Sequence, residues 1–352
     1  SSAGRSTSAF VTVMKGCNER CSFCIVPYTR GPERYRPARE ILEEIAQLTQ
    51  VGVREVTLLG QTVNSYTDPS ASFAPAAGER ASDWQHTAHE RARADESEFP
   101  ELLHAIARRA PKLARLRYTS PHPRHLTRSL IRAHRELDVL SRHVHMPVQS
   151  GSDRILKRMI RRYTVAEYLE RVTALQGAVP GLTLSTDIIV GFPGETRSDF
   201  EQTLDLVARA GFVGVFAFKY SERPFTPALK LGDDVPESEK SARLAELFEV
   251  SNAIRQRYLS SLEGSELSVL VEGRGKGGQW GGRSERNEIV HFSSPHELAG
   301  RLVQVRIVRA NKNSLLGELA ETVDALAPAE FAASVAEPMA AKPLRRLPLS
   351  PV

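Results

Sequence analysis

Cys17, Cys21 and Cys24 are the only cysteines in 352 residues, and they sit together in Gly16-Cys17-Asn18-Glu19-Arg20-Cys21-Ser22-Phe23-Cys24. Spacings of three and then two residues fold three thiolates around one small volume, and soft thiolates select iron–sulfur clusters, zinc or copper. A structural zinc wants four closed ligands, and the nearest histidine in sequence is His86. An odd number of cysteines cannot pair fully as disulfides. A 4Fe–4S cluster fits better, because three protein ligands to four irons leave one iron open to a substrate or cofactor. Upstream, Ala9–Met14 (Ala-Phe-Val-Thr-Val-Met) is expected to be a short buried strand, which places the cysteines in the loop just past its end. Barrel folds keep their chemistry in such loops. Phe23 would wall the cluster off from water.

The next question is what this loop is built upon. Strand and helix patterns alternate: helix Ala38–Gln50, strand Glu55–Leu59, helix Phe99–Arg109, strand Leu113–Tyr118, helix Arg124–Glu136 and strand His143–Val148. Helix Val165–Leu175, strand Leu182–Val190, helix Thr196–Ala210 and strand Gly214–Tyr220 continue the series. Such alternation predicts an α/β domain with a parallel sheet. Residues 68–98, rich in Ala, Ser, Asp, Glu and Arg without an apolar period, are expected to be a disordered surface insertion, with no function given to its Trp84 and His86. After Glu237 the pattern changes to one long amphipathic helix (Glu237–Leu262) and five short strands, Leu267–Glu272, Trp280–Ser284, Glu288–Phe292, Leu302–Val308 and Ser314–Leu319. Five short strands suggest a small all-β barrel of the oligonucleotide-binding kind. Domain limits are expected at 1–252 and 253–322, with a disordered Ala/Pro-rich tail over 323–352.

Composition narrows the class without naming it. At 41% hydrophobic and 25% charged residues the chain is of the globular type. No apolar run approaches the roughly 18 residues of a membrane helix. A net charge of +5 suits a polyanionic partner, and cysteines kept reduced for a metal suit a cytoplasmic setting. Gly191 to Thr196 follows a strand and opens a helix, where backbone amides would receive an anion or carboxyl group, so Gly191, Gly194 and Glu195 are cofactor-binding candidates; Thr196 also suits a helix cap. Gly60-Gln61 and Gln149-Ser150 follow strands at the same end and are candidates for the same role. Arg30, Arg34 and Arg36, and a second run of Arg154, Lys157, Arg158, Arg161 and Arg162, are candidate phosphate contacts for RNA.

The cysteine loop, with an aromatic residue before its third cysteine, resembles the radical S-adenosylmethionine (SAM) superfamily. Four further segments are similar to the MiaB-type tRNA methylthiotransferases: Val26-Pro27-Tyr28-Thr29-Arg30-Gly31, Leu59 to Tyr66, His145 to Ser152 and Gly191 to Thr196. Ser221-Glu222-Arg223-Pro224 with Thr226-Pro227-Ala228 adds another, with Phe225 standing where the family usually has glycine. Gly282 to Asn287 and Asn313 to Glu318 resemble the RNA-binding TRAM domain. The resemblance, from about Ala9 to Leu319, implies a partial (β/α)6 barrel followed by an OB-like TRAM barrel. It implies Cys17, Cys21 and Cys24 as ligands of a 4Fe–4S cluster whose open iron binds SAM. It also implies Lys276, Arg283, Arg286 and Arg309, with Trp280 as a stacking surface, as RNA contacts. The implied reaction is radical methylthiolation of isopentenyl-adenosine beside the anticodon of tRNA, by a monomer fed electrons by a flavodoxin or ferredoxin. Family members carry a further N-terminal cluster domain with three more cysteines, so the chain, opening at Ser1, reads as a piece of a longer protein.

Overall fold

The computed structural model describes residues 6–73, 97–275 and 277–322. Residues 74–96 of the expected insertion, with Trp84 and His86, together with Lys276 and the 323–352 tail, lie outside the described residues. First come β1 (Ser8–Thr12), the two-residue β2 (Met14–Lys15), α1 (Val26–Arg30) and the two-residue β3 (Arg34–Tyr35). Next are α2 (Ala38–Gln50), β4 (Glu55–Leu59), α3 (Phe99–Arg109), β5 (Arg115–Tyr118), α4 (Arg128–Glu136) and β6 (His143–His145). Then follow α5 (Asp153–Arg158), α6 (Val165–Ala178), β7 (Thr183–Val190), α7 (Arg197–Ala210) and β8 (Gly214–Lys219).

β1, β4 and β5 pair in parallel, as do β6, β7 and β8. A parallel bridge between Leu116 and Leu140 joins the two triplets. The result is the expected open barrel, with six parallel strands in chain order among the described residues. Strand residues alternate between its two faces. Val11, Val56, Leu58, Leu116, Val144, Leu184 and Ile188 belong to the apolar layer shared with the helices. Glu55, Thr57, Arg117, His143, His145, Ser185 and Asp187 line the lumen instead.

Local chemistry explains the departures from expectation. The strand expected over Ala9–Met14 breaks after Thr12, and β2 pairs antiparallel with β3. The helix expected from Arg124 begins at Arg128, because Thr127 Oγ1 accepts from Leu130 N at 3.2 Å and caps it there. β6 ends at His145, two residues before Pro147, which has no N–H for a ladder.

Both ends of the 68–98 segment are built into the barrel. Asp68 is buried and accepts from Ala38 N at 2.9 Å, tying down the first turn of α2. Glu98 Oε2 accepts from Asp68 N at 2.6 Å. Burial pushes the Asp68 carboxyl up, but the donors Ala38 N, Ser70 and Ser72 outweigh burial and hold it well below the ordinary carboxylate range. Asp199 is likewise pushed up by burial and pulled further down by Arg154, Ser152 and Thr196. A depressed folded-state pKa contributes stability that is complete above the unfolded value of about 3.9 and is lost as pH falls below it. Melting temperature should therefore drop between about pH 4 and pH 2. Asp68→Asn and Asp199→Asn should each lose roughly 1–3 kcal/mol at pH 7 and flatten that drop in circular-dichroism melts.

α8 (Glu237–Ser260) leads into β9 (Glu266–Arg274), β10 (Trp280–Ser284), β11 (Ile289–Ser293), β12 (Leu302–Ala310) and β13 (Leu315–Thr322). These five close into a barrel in the order β10-β11-β13-β12-β9. Its core holds Val269, Val271, Trp280, Val290, Phe292, Val303, Val305 and Ile307. The small barrel is docked under the floor of the large one. Arg115 is buried and its guanidinium donates to Arg283 O and, at 2.7 Å, to Ser268 O. Arg117 Nη2 reaches Ser284 O at 3.1 Å, and Glu285 O accepts from Ser141 Oγ at 2.7 Å and Arg142 N at 3.0 Å.

Candidate radical-chemistry site

Gly16 begins the cysteine loop at φ +80, and a Cβ there would stand 2.0 Å from Pro32 O, so glycine is required by both backbone and space. Cys17 N then donates to Gly31 O at 3.1 Å. Asn18 and Glu33 exchange three hydrogen bonds of 3.2–3.3 Å, and Tyr35 Oη donates to Glu33 Oε2 at 2.5 Å, which staples the loop to the β2–β3 hairpin. From the far side Ser22 N donates to Met159 O at 2.9 Å and Ser22 Oγ to Arg158 O at 2.8 Å. A segment without regular structure is thereby held from two directions.

The three thiols are free and close enough to act electrostatically on one another through Cys21. Burial pushes the Cys17 and Cys24 thiols up, so ligation of a metal as thiolates would release their protons. Cys17 Sγ lies 3.2 Å from Thr62 Oγ1, and Cys21 Sγ accepts from Arg161 Nη1 at 3.3 Å. Phe23, adjoining Cys24 in the chain, packs edge-on against Phe192 at 6.5 Å as an apolar pair. The donor set of three thiols, an apolar flank and one charged donor fits an iron–sulfur cluster.

Below the loop a cavity of about 1020 Å³ is lined by Phe23, Gln149, Asp187, Ile189, Phe218 and Tyr220, among others. A second, of about 810 Å³, continues to the floor and shares Asp187 and Phe218 with the first. Asp187 Oδ1 lies 3.2 Å from His145 Nε2, and the His145 ring meets Phe216 edge-on at 5.5 Å. Phe10, Phe216 and Phe218 are 71%, 57% and 58% exposed, although they line this lumen, so its walls offer aromatic faces to a guest.

The expected cofactor residues divide. Gln149 lines the upper cavity with φ +79, a strained backbone held by its bridge to Ile188. Gln61 follows β4 with its Oε1 buried and unpartnered among the described residues, an acceptor ready for a ligand. Gly60 lies against Met14, where a Cβ would stand 2.6 Å from Cγ, and Ser150 is fully buried with Oγ accepting from Ser152 N. The anion cradle expected over Gly191–Glu195 is corrected. Gly191 N donates to Glu195 Oε2 and Gly194 N to Asp234 Oδ1, both at 2.6 Å, so these amides are already spent on carboxylates. Glu195 is itself buried in an ion pair with Arg243 at 2.7 Å, which closes the loop. Thr196 and Asp199 form a reciprocal cap for α7, the helix-capping role suggested by its position.

The expected RNA contacts change more. Arg30 and Arg34 are exposed beside the cysteine loop. Arg36 is tied to Glu44 at 2.7 Å and Thr12 O at 2.8 Å. In the second run Arg158 binds Pro193 O at 3.0 Å and Arg161 is buried; Arg154, Lys157 and Arg162 are exposed, with Arg154 bound to Asp199 and Gly194 O. Arg283 and Arg286 line the floor cavity between the barrels, where the partly exposed Arg283 pairs with Glu272 at 3.2 Å. Trp280 is 1% exposed, with Nε1 donating to His296 O at 3.1 Å; it is a core residue and no stacking platform.

Sequence reasoning missed one buried group beneath the loop. Glu19, His122 and His125 converge, with His125 Nε2 3.4 Å from Glu19 Oε1. Asn64, in the Gly60–Asn64 segment, locks the neighbouring backbone by accepting from His122 N at 2.7 Å and donating to His122 O at 3.0 Å. The His125 contact holds the Glu19 carboxyl down at about 2. Arg124 already sets positive charge 3.8 Å from that carboxylate, so the group reads as an ion-paired support for the loop, not a cation site.

Residues 11–207 match the radical SAM superfamily, and residues 260–320 match the TRAM domain. The chain is 61% identical over 337 residues, 93% of its length, to the tRNA-2-methylthio-N(6)-dimethylallyladenosine synthase of Sorangium cellulosum (strain So ce56), of which it covers 66%. Proteins of the same name from Alkalilimnicola ehrlichii (42% identity, 92% of this chain, 67% of that protein) and Solibacter usitatus (43%, 90% and 66%) are also similar. The chain thus spans about two thirds of the length of the curated relatives it matches. No helix among the described residues is long and apolar enough to cross a membrane.

Proposed function

Because this chain belongs to the radical SAM superfamily, within the family of the tRNA-2-methylthio-N(6)-dimethylallyladenosine synthases, we propose that it is the catalytic portion of a tRNA methylthiotransferase. It converts isopentenyl-adenosine next to the anticodon into its 2-methylthio derivative. Its cofactors are a 4Fe–4S cluster and SAM, as in the superfamily. The observation that carries this reading is the pinned three-thiol loop, whose Phe23 lines a cavity that Phe218 joins to the lumen walled by Phe216.

Cys17, Cys21 and Cys24 would hold the cluster; Gln149, which lines the upper cavity, and Gln61, with a buried unpartnered acceptor at the end of β4, are the polar groups offered to SAM. When bound, the pair supplies a carbon-centred radical through one-electron cleavage of SAM. The chain's own part is to orient and to keep water out. Phe218 bridges the two cavities and gives a flat apolar face for the prenylated base, while the small barrel closes the floor against bulk solvent. Arg30 and Arg34, exposed on the lip, suit the anticodon-stem phosphates. A cytoplasmic monomer fed by a low-potential donor such as flavodoxin or ferredoxin completes the proposal.

The test is mass spectrometry after anaerobic iron–sulfide reconstitution, with reductant, SAM and isopentenylated tRNA. Methylthiolated adenosine in the digest supports the full reading. Deoxyadenosine alone means that radical formation resides in this chain and the sulfur step elsewhere. Neither product from iron-loaded protein overturns the proposal.

A further inference from the structure

Arg161 brings a cation directly onto the cysteine loop. It is 5% exposed and every arm of its guanidinium is directed. Nε donates to Tyr163 Oη at 2.9 Å, Nη2 to Pro147 O at 3.0 Å and Nη1 to Cys21 Sγ at 3.3 Å. Tyr163 Oη is anchored in turn by donating to Val148 O at 2.9 Å. Two oxygen contacts thus fix the plane of the fork and aim its third arm at sulfur.

A dry cation is costly unless negative charge meets it. Of these three partners, Cys21 is the one that becomes anionic when it binds iron. A neutral thiol accepts hydrogen bonds weakly, whereas a metal-bound thiolate makes a charge-assisted partner. Arg161 is therefore placed for the loaded site more than for the empty loop.

We infer that Arg161 is a positioning residue that sets the reduction potential of the cluster, its N–H···S contact to Cys21 favouring the state with one more electron. That electron comes from the external one-electron donor, and no bond forms or breaks when it arrives. Hydrogen bonds to cluster sulfurs and local charge are among the levers that move such potentials. The inference rests on the reading that the three cysteines hold the cluster.

The experiment is an EPR-monitored redox titration of reconstituted protein, with iron counted in the same samples. Arg161→Gln should lower the ratio of reduced to oxidised cluster about tenfold at a fixed potential, a shift of about 59 mV for one electron. Arg161→Lys, which keeps the charge and loses the fork, should fall between Arg161→Gln and wild type. Arg161→Gln protein with full iron and an unchanged titration overturns the inference. Should Arg161→Gln hold no iron, wild-type protein carrying [15N]arginine decides: pulsed EPR of the reduced cluster should show one weakly coupled nitrogen, and its absence overturns the inference. A wild-type chain that takes up no iron overturns this inference together with the cysteine reading.

Discussion

Arg243→Ala is expected to cost roughly 3–5 kcal/mol, the range for breaking one side of a buried ion pair. Arg243 on α8 donates from Nη1 to Glu195 Oε2 at 2.7 Å and Glu195 O at 3.0 Å, and from Nε to Glu239 Oε1 at 2.8 Å. Its removal leaves the Glu195 carboxylate buried with Gly191 N as its remaining donor. A loss of that size corresponds to a melting shift of roughly 6–20 °C for a domain of about 250 residues. Burial already pushes the Glu195 carboxyl up despite its partner, and without Arg243 it should rise further. A raised folded-state pKa means stability that is full below the unfolded value near 4.3 and lost as pH climbs through the folded one. The deficit should therefore grow as pH rises above about 4.3 in thermal melts. In the Arg243→Met/Glu195→Leu double variant part of the loss should return; strict additivity would show that the pair is not coupled.

The same helix explains why the Gly191–Glu195 loop matters although it is no anion cradle. A Cβ at Gly191 would stand 2.3 Å from Lys240 Cγ, so α8 is packed directly on the loop. α8 then runs on into the small barrel, which Arg115 and Arg117 hold against the floor of the large one. Loop, helix and floor are thereby mechanically continuous, and the lumen between them has both ends set by one element.

Much of this was legible from local pattern. Cysteine spacing singled out the three-thiol loop, alternation of elements gave the parallel sheet, and Thr196 announced its cap. The arginine run beyond Ser152 shows where local reading stops. Read as one helix face, Arg154 to Arg162 is a basic stripe, but α5 ends at Arg158, and Ile160 (φ +58) and Arg162 (φ +54) turn the backbone left-handed. That reversal swings Arg161 beneath Cys21 and leaves Arg162 outside, a consequence of three-dimensional closure that periodicity does not carry. Phe225 shows the opposite case. Its φ of +67 is what a family glycine at that position requires, so the unusual residue was a visible sign of strain. For Trp280 a signal was also present, since alternation puts it on one face with buried Gly282 and Ser284. Arg283 and Arg286 were beyond reach, because their environment is made by residues more than a hundred positions away, among them Glu55 and His143.

Cys17→Ala should separate chemistry from folding most cleanly. Its Sγ touches Thr62 Oγ1, a hydroxyl able to turn to another acceptor, whereas loss of the Cys21 sulfur would strand a buried guanidinium arm. The Cys17→Ala chain should keep its melting transition within about 1 kcal/mol of the unloaded parent, as expected for one half-buried contact. Iron after reconstitution should nevertheless fall from about four per chain to below about one, because two thiolates cannot retain a cluster that needs three. Deoxyadenosine formation should disappear with it, while tRNA affinity, carried by phosphate contacts on the lip, should stay within about twofold. Full iron in Cys17→Ala would remove Cys17 from the ligand set and point to a different third ligand. A parallel fall in iron and in thermal stability would mean that the loop, and not only the cluster, depends on this sulfur.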